Sequence, residues 1–408
     1  MVQLTKGDII NTAFRTWGRI FYQQTSLSLL ARDLGVTKAA LYRHFKNKQA
    51  LLDAMYESFF DQYTAFIKDG YARAVATTDL IESQFTMMRT MVEYYTRDMN
   101  AFIFSLFMVY GQREPEQLMA ELERRGIDMR KIRPVEEDVE TYPSMLQLIL
   151  ASLIFWVASF HKHSHAPDEP PSDEQVYGLI RWIEEKITGG LGLRRDRADR
   201  INFEALEGAV PPHLPDDPED AGLLKAVAGA VAEAGPWNAS MDMVARRSGL
   251  SKSGLYAHFK NKQDMLRQLF STELERIIAY AGAAIRVSTV PEEQFYLAII
   301  GVADYLRSRP EILIALDWLK TRRIDLGHST PPRIYRIFSD IKINGIEVMA
   351  GLSESLKEQT AQWVLFLTAN VLMRRPPGMA VSEVPNTSLR ILYKFVVFGI
   401  NGYKSCYQ

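Results

Sequence analysis

The chain has 408 residues, 48 Lys+Arg against 49 Asp+Glu, 47% apolar residues, 11% aromatics and one cysteine, Cys406. At roughly 150 residues per domain this length predicts two or three domains, and the apolar and charged fractions exclude wholesale disorder and a collagen-like chain. A lone cysteine excludes an intramolecular disulfide framework and a zinc site of paired cysteines; the opening Met1 to Lys6 lacks the apolar run of a secretory signal, so the reducing cytoplasm is the expected compartment.

In chain order, Thr5 with Asp8 three residues on predicts a capped helix carrying Ile9, Ile10, Ala13, Phe14 and Trp17 on one face. A short helix over Ser28 to Leu34 is expected to stop at Gly35, and Thr37 caps the next one. Helix, glycine turn and helix is the helix-turn-helix pattern, with Leu30, Leu34, Leu41 and Phe45 as its small core. Asn47 caps a long helix from Lys48. Further helical periodicity follows over Leu51–Ala72, Leu80–Asp98, Ala101–Tyr110, Pro115–Arg125, Tyr142–Lys162 and Ser172–Thr188. Met145 to Phe160 is uncharged over 16 residues. That is shorter than the roughly 20 a membrane span needs, so a buried helix is expected. His161, His163 and His165, with Asp168 and Glu169 after them, invite a metal reading; their place at a helix end before Pro167, Pro170 and Pro171 favours a solvated terminus, and no metal is assigned.

The stretch 193–221, opening RRDRADR and closing PPHLPDDPED, has the composition of a linker. Beyond it the pattern starts again. Sliding the chain by 214 positions aligns residues 30–49 with 244–263 without a gap, with 12 of 20 identical and the run His44 to Gln49 repeated at His258 to Gln263. The two halves therefore descend from one duplicated unit. After the second copy, helical segments run over Met265–Val287, Glu292–Ser308, Glu311–Thr321, Pro331–Gly351, Leu356–Arg374 and Thr387–Tyr403. No segment shows sustained β alternation, so the fold class is all-α.

Charge gives the unit its chemistry. Residues 28–49 and 242–263 each sum to +4 in a chain of net −1, the footprint of heads that face a polyanion. The helix after each glycine turn opens with small residues, Ala39 and Ala40 or Ser253 and Gly254, which permit close entry into a major groove. Tyr42 lies one turn beyond Lys38. Phenol, imidazole and ammonium groups, together with the backbone N–H groups opening the helix at Lys48, are donors for phosphate oxygens.

The pattern G-V-T-K-x-x-L-Y-x-H-F-x-N-K-x-x-L, at Gly35 to Leu52 and again at Gly249 to Leu266, resembles the DNA-binding head of tetracycline-repressor (TetR) type regulators. The resemblance implies two tandem units, each a helix-turn-helix head followed by a helical body that binds a small ligand and dimerises. Residues 1–50 would be the first head, 51–192 its body, 193–221 the linker, 222–264 the second head and 265–408 the second body. It also implies a DNA-contacting set: Ser26 or Ser28, Thr37, Lys38, Tyr42, His44 and Lys48, then Ser240, Ser251, Lys252, Tyr256, His258 and Lys262. Ala39, Ala40, Arg43, Ser253 and Gly254 occupy base-facing positions. Family members carry one head per chain, so a single chain here is expected to act as a pseudo-dimer, with heads spaced for successive major grooves about 34 Å apart. Pairing of two chains through the last helix is left open. Because Arg43 can reach guanine whereas Ala257 cannot, the operator is expected to be asymmetric.

The Met- and aromatic-rich first body suits a cavity for an apolar or aromatic effector, with Phe85, Met88, Tyr95, Phe104, Phe107 and Trp156 as candidate lining. No catalytic constellation, phosphate loop or dinucleotide fingerprint occurs, so neither an enzyme nor a cofactor is expected. The expected function is a sequence-specific, ligand-responsive repressor; the alternative is a ligand-independent DNA-architectural or protein-interaction module using the same heads.

Overall fold

A computed structural model describes residues 4–19, 26–110, 115–132, 141–163, 169–191, 200–211, 218–317, 334–338, 341–343, 346–347, 353–375 and 378–402. Helix α1 (Lys6–Arg19) opens on the expected capping box: the Asp8 N–H donates to Thr5 Oγ1 at 3.1 Å and the Thr5 N–H to Asp8 Oδ2 at 2.9 Å. Ile9, Ala13 and Trp17 are buried on it, and the helix-turn-helix pair α2 (Leu27–Asp33) and α3 (Lys38–His44) follows. The body continues with α4 (Lys48–Ala76), α5 (Leu80–Arg97), α6 (Met99–Phe104), a π turn at Ser105–Val109, α7 (Pro115–Arg124), α8 (Thr141–His163) and α9 (Asp173–Gly189).

The second half repeats the order. Helix α11 (Pro218–Asn238), kinked at Gly235, leads into α12 (Met241–Ser248) and α13 (Lys252–His258). Then come α14 (Lys262–Ile285), α15 (Pro291–Ser308), α16 (Pro310–Asp317), α17 (Glu354–Met373) and α18 (Asn386–Phe398). The helix expected over Pro331–Gly351 is not formed by the described residues of that segment. Its described residues make a 3-10 turn, Ile334–Ile337, and a two-residue antiparallel ladder of β1 (Lys342–Ile343) with β2 (Ile346–Glu347). The β-branched Ile341, Ile343 and Ile346 explain the departure, since they favour extended backbone over a helix.

The segment read as a linker contains a docked helix, α10 (Phe203–Ala209), capped by Asn202. Leu206 is buried, and Phe203 stacks edge-on against Tyr296 with centroids 4.7 Å apart. Glu207 accepts from Arg390 at 2.8 and 3.0 Å and from the Tyr296 hydroxyl at 2.5 Å. Burial alone would raise the Glu207 carboxyl, but the bonds from Arg390 and Tyr296 outweigh it and hold it below the ordinary value. A charge that looked linker-like in sequence is thus neutralised on the second body.

The chain forms two compact units that do not follow the sequence halves. One comprises 1–137 and 163–181, the other 138–162 and 182–408. In the second unit, α8 and the end of α9, both from the first half, pack against α17 and α18 of the second. Buried Ser152 accepts from Trp363 Nε1 at 3.0 Å, Ser159 donates to Gln359 at 2.9 Å, and Gln147 donates to Asn370 at 3.1 Å. Where α9 and α18 end, glycines allow backbone to touch backbone. A Cβ on Gly190 would strike Val396 and one on Gly399 would strike Ile187, while the Leu191 N–H donates to Val396 O at 2.9 Å. The halves are therefore joined as the subunits of a dimer would be. Leu389, Leu392, Tyr393 and Phe395 to Phe398 of the last helix are buried within the chain itself. Within the described residues one helix, Met145–His163, is long and apolar enough to cross a membrane; half of it is buried.

Candidate nucleic-acid interface

Each head is built from local caps that its sequence dictates. In the first, Ser26 Oγ accepts from Leu29 N at 3.1 Å, Thr37 Oγ1 from Ala40 N at 3.2 Å and Asn47 Oδ1 from Ala50 N at 2.8 Å. In the second, at the same offset of 214, Ser240 accepts from Met243 N at 3.2 Å, Ser251 from Gly254 N at 3.0 Å and Asn261 from Asp264 N at 2.8 Å. Gly35 and Gly249, at φ +66° and +72°, make the turn; nothing crowds the space a Cβ would fill, so it is the left-handed backbone that calls for glycine. Leu41 with Phe45, and Leu255 with Phe259, are buried beneath the second helix of each pair.

The caps leave the outer faces of α3 and α13 bare. Tyr42 and Tyr256 are 44% and 49% exposed. Thr37, Lys38, Ala39, Arg43, Ser251, Lys252, Ser253 and His258 are exposed, whereas Ala40, His44, Lys48, Gly254 and Lys262 are half-buried. Ser28 stands exposed on α2, two residues after the capping Ser26. A hydroxyl that accepts a backbone N–H keeps its own proton for a further acceptor. Lys48 and Lys262 open α4 and α14, and desolvation pushes both ammonium groups below the usual lysine value.

The structure adds one inequality that sequence reasoning missed. Lys252 Nζ lies 3.1 Å from Asp242, which raises its proton affinity. The residue matching Asp242 in the first head is Ser28, and there Lys38 Nζ sits 5.7 Å from the Tyr42 ring with no carboxylate partner among the described residues. Placing Asp242 against Ser28 in the repeat alignment was the available signal. The heads also pin their first two helices differently: Thr16 donates to Asp33 at 3.0 Å in one, and Glu233 pairs with Arg247 in the other.

The candidate effector residues fall in three places among the described residues. Phe85, Met88 and Tyr95 are buried in the α4–α5 packing, with Tyr95 stacked on Tyr63 at 5.7 Å and its hydroxyl 3.1 Å from that of Tyr110. Burial raises the Tyr63 and Tyr95 phenols, so both stay protonated. Phe104 packs on Phe14 at 5.0 Å, on Tyr56 at 5.2 Å and on Phe59 at 5.5 Å, tying α6 to α1 and α4; Phe107 lies half-buried in the π turn. Trp156 belongs to the other compact unit, against Trp182 and Trp363, where the halves join. A cavity of about 480 Å³ opens instead where α1 meets α4 and the α5–α6 corner, and none of the six residues lines it. Most of the wall of this cavity is polar. His161 is buried beside Phe160 rather than solvated, His163 is exposed, and His165 lies outside the described residues.

Two capped helix-turn-helix heads, each with an exposed polar reading helix and a basic helix start behind it, define the class as a DNA-binding protein with duplicated heads. Residues 9–55 and 223–269 both match the family described as bacterial regulatory proteins, tetR family. The chain thus carries two copies of that family's DNA-binding domain and is a DNA-binding transcriptional regulator with two heads. A biofilm operon icaADBC HTH-type negative transcriptional regulator, IcaR of Staphylococcus aureus, is 26% identical over 191 residues, which is 44% of this chain and all of that one. Among solved structures, FadR of Bacillus subtilis in complex with stearoyl-CoA matches with 20% identity, covering 43% of this chain and 98% of that one, at a TM-score of 0.34. The fatty acid degradation regulator FadR of Bacillus halodurans matches with 18% identity over 46% of this chain and 98% of that one, at a TM-score of 0.35.

Proposed function

We propose that the protein is a ligand-responsive repressor whose single chain places both heads on one pseudo-palindromic operator. The observation that carries this reading is the identical cap network of the two heads, joined through a dimer-like helix packing inside one chain. Ser26, Ser28, Thr37, Tyr42, His44 and Lys48, with Ser240, Ser251, Tyr256, His258 and Lys262, bind phosphates, since each offers a donor on the exposed side of its head. Lys38 and Lys252 bind phosphates as well; Arg43, beside the small Ala39 and Ala40, reads bases in one half-site, and Ser253 and Gly254 face the other, where Ala257 replaces the arginine. The negative regulator among the similar proteins supports repression. Effector responsiveness is supported by the aromatic contact of Phe104 with Phe14, which couples the body to the first helix of the head.

Footprinting on a selected operator tests this reading. Lys48→Ala is expected to lose protection over one half-site and Lys262→Ala over the other, with a steep loss of binding as salt rises. Equal loss over the whole footprint in both variants, or retained sequence-specific binding in the double variant, would overturn it.

A further inference from the structure

The cavity of the first half has a counterpart in the second, and the two are filled differently. The offset of 214 carries Phe59 and Gln62 of α4 onto Glu273 and Arg276 of α14. Helices α5 and α15 have 18 residues each, and their close approaches fix the register. Gly70 meets Thr90 in the first half, and Ala284, the match of Gly70, meets Gly301 in the second. Thr90 therefore corresponds to Gly301, an offset of 211, which also pairs the corner residues before α6 and α16. Tyr94 thus matches Tyr305, and Asp98 matches Arg309.

In the second half these four positions close on one another. The Tyr305 hydroxyl donates to Glu273 at 2.5 Å, Arg276 donates to it at 3.0 Å, and the Arg309 guanidinium lies 3.2 Å from Glu273 and over the Tyr305 ring at 5.8 Å. Glu273 and Arg309 are both buried. In the first half the same four residues line open space. The corner residue there is an anion where the second half has a cation. Asp98 Oδ1 accepts from Asn100 N and Ala101 N, both at 2.9 Å, while Oδ2 has no partner among the described residues. Asp8, the other carboxylate of the wall, is committed to Thr5, and Arg15 at the exposed rim donates to Thr12. Aromatic rings of Phe14, Phe59 and Tyr94 complete the lining.

We propose that this corner of the first half binds a small aromatic cation, an amidinium, guanidinium or ammonium on a planar body. Its charge takes the place that the Arg309 guanidinium fills in the second half, hydrogen-bonded to Asp98 and stacked among the aromatic rings. The second half is held closed by its own side chains. The proposal rests on the effector-responsive reading above and gives it a location and a ligand class. Because α1 forms one wall, occupancy acts on the first head.

Calorimetric titration of the full chain, without DNA, with benzamidine, neutral benzamide and anionic benzoate is the test. Benzamidine is expected to bind at one equivalent per chain and the other two not at all. Asp98→Asn keeps a capping side chain for α6 and is expected to weaken benzamidine by about tenfold or more, the loss of one charged hydrogen bond. Asn11→Trp, on the exposed side of α1, is expected to fill the cavity and abolish binding. Equal binding of the three probes, two equivalents per chain, unchanged affinity in Asp98→Asn, or no binding of millimolar benzamidine overturns the proposal. Operator affinity measured with and without benzamidine separates the two readings. Binding as described with no change in operator affinity leaves the cation site standing and sinks effector responsiveness.

Discussion

Replacing Asp242 with Ser converts the second head to the arrangement of the first, where Ser28 stands at that position and Lys38 has no carboxylate beside it. The Asp242–Lys252 pair spans 3.1 Å with side chains 58% and 57% exposed, so its own contribution to folding lies in the range of about 0.2–1 kcal/mol typical of exposed pairs. Stability should therefore hardly change. DNA binding should change, because the freed ammonium becomes available to a phosphate and a carboxylate that repels phosphates is removed. Releasing an exposed pair of that strength raises affinity by roughly 1.5- to fivefold at low salt. One further neutralised phosphate steepens the plot of log affinity against log salt by about 0.9. Fluorescence anisotropy with the full chain and a selected operator, over a salt series, measures both. Adding Lys252→Ala to Asp242→Ser should remove the gain. An unchanged salt slope with unchanged affinity would refute the view that Asp242 restrains Lys252 from the backbone of the DNA.

The other predictions concern the joint between the halves and the basic helix starts. Gly399→Ala places a Cβ against the backbone of Ile187 at a φ of +60°, so chemical denaturation should show a loss of at least about 1–3 kcal/mol, from strain and from parted helices. Trp363→Phe removes the bond to buried Ser152 and leaves that hydroxyl short of a donor, a loss of about 1–3 kcal/mol by the same measurement. Lys48 and Lys262 have ammonium groups held below the ordinary value of 10.5, so the unfolded chain binds these protons more tightly than the folded one. Their contribution to stability then rises as pH climbs through the folded values towards 10.5. Operator affinity moves the opposite way over that window and should fall at lower pH than for a double Arg variant, whose charge persists.

Much of this architecture was legible because its signals are local. Capping residues at Thr5, Thr37 and Asn47, glycines at Gly35 and Gly249, and the periodic Leu30, Leu41 and Phe45 act over a few residues and need no knowledge of distant chain. The tandem organisation was equally plain, since a gapless repeat is a property of sequence alone. What escaped notice depends on tertiary partners. The charges around 193–221 read as solvated until Arg390 supplies a counterion for Glu207. The packing of Trp156 against Trp182 and Trp363 likewise has no signal in sequence. Asp98 read as a helix end, and only its place opposite Phe59 and α1 shows a carboxylate facing a cavity that Arg309 and Glu273 close in the other half. The cross-half register of α5 and α15 lacks a conspicuous identical run, so the match of Asp98 to Arg309 had to come from helix contacts.

The central claim is that one chain supplies both heads to one operator. Native mass spectrometry of the full chain with a duplex holding a single selected operator tests it most directly. One chain per duplex, with both half-sites protected from cleavage under the same conditions, is the predicted result. Two chains per duplex, each engaging it through one head, would contradict the account.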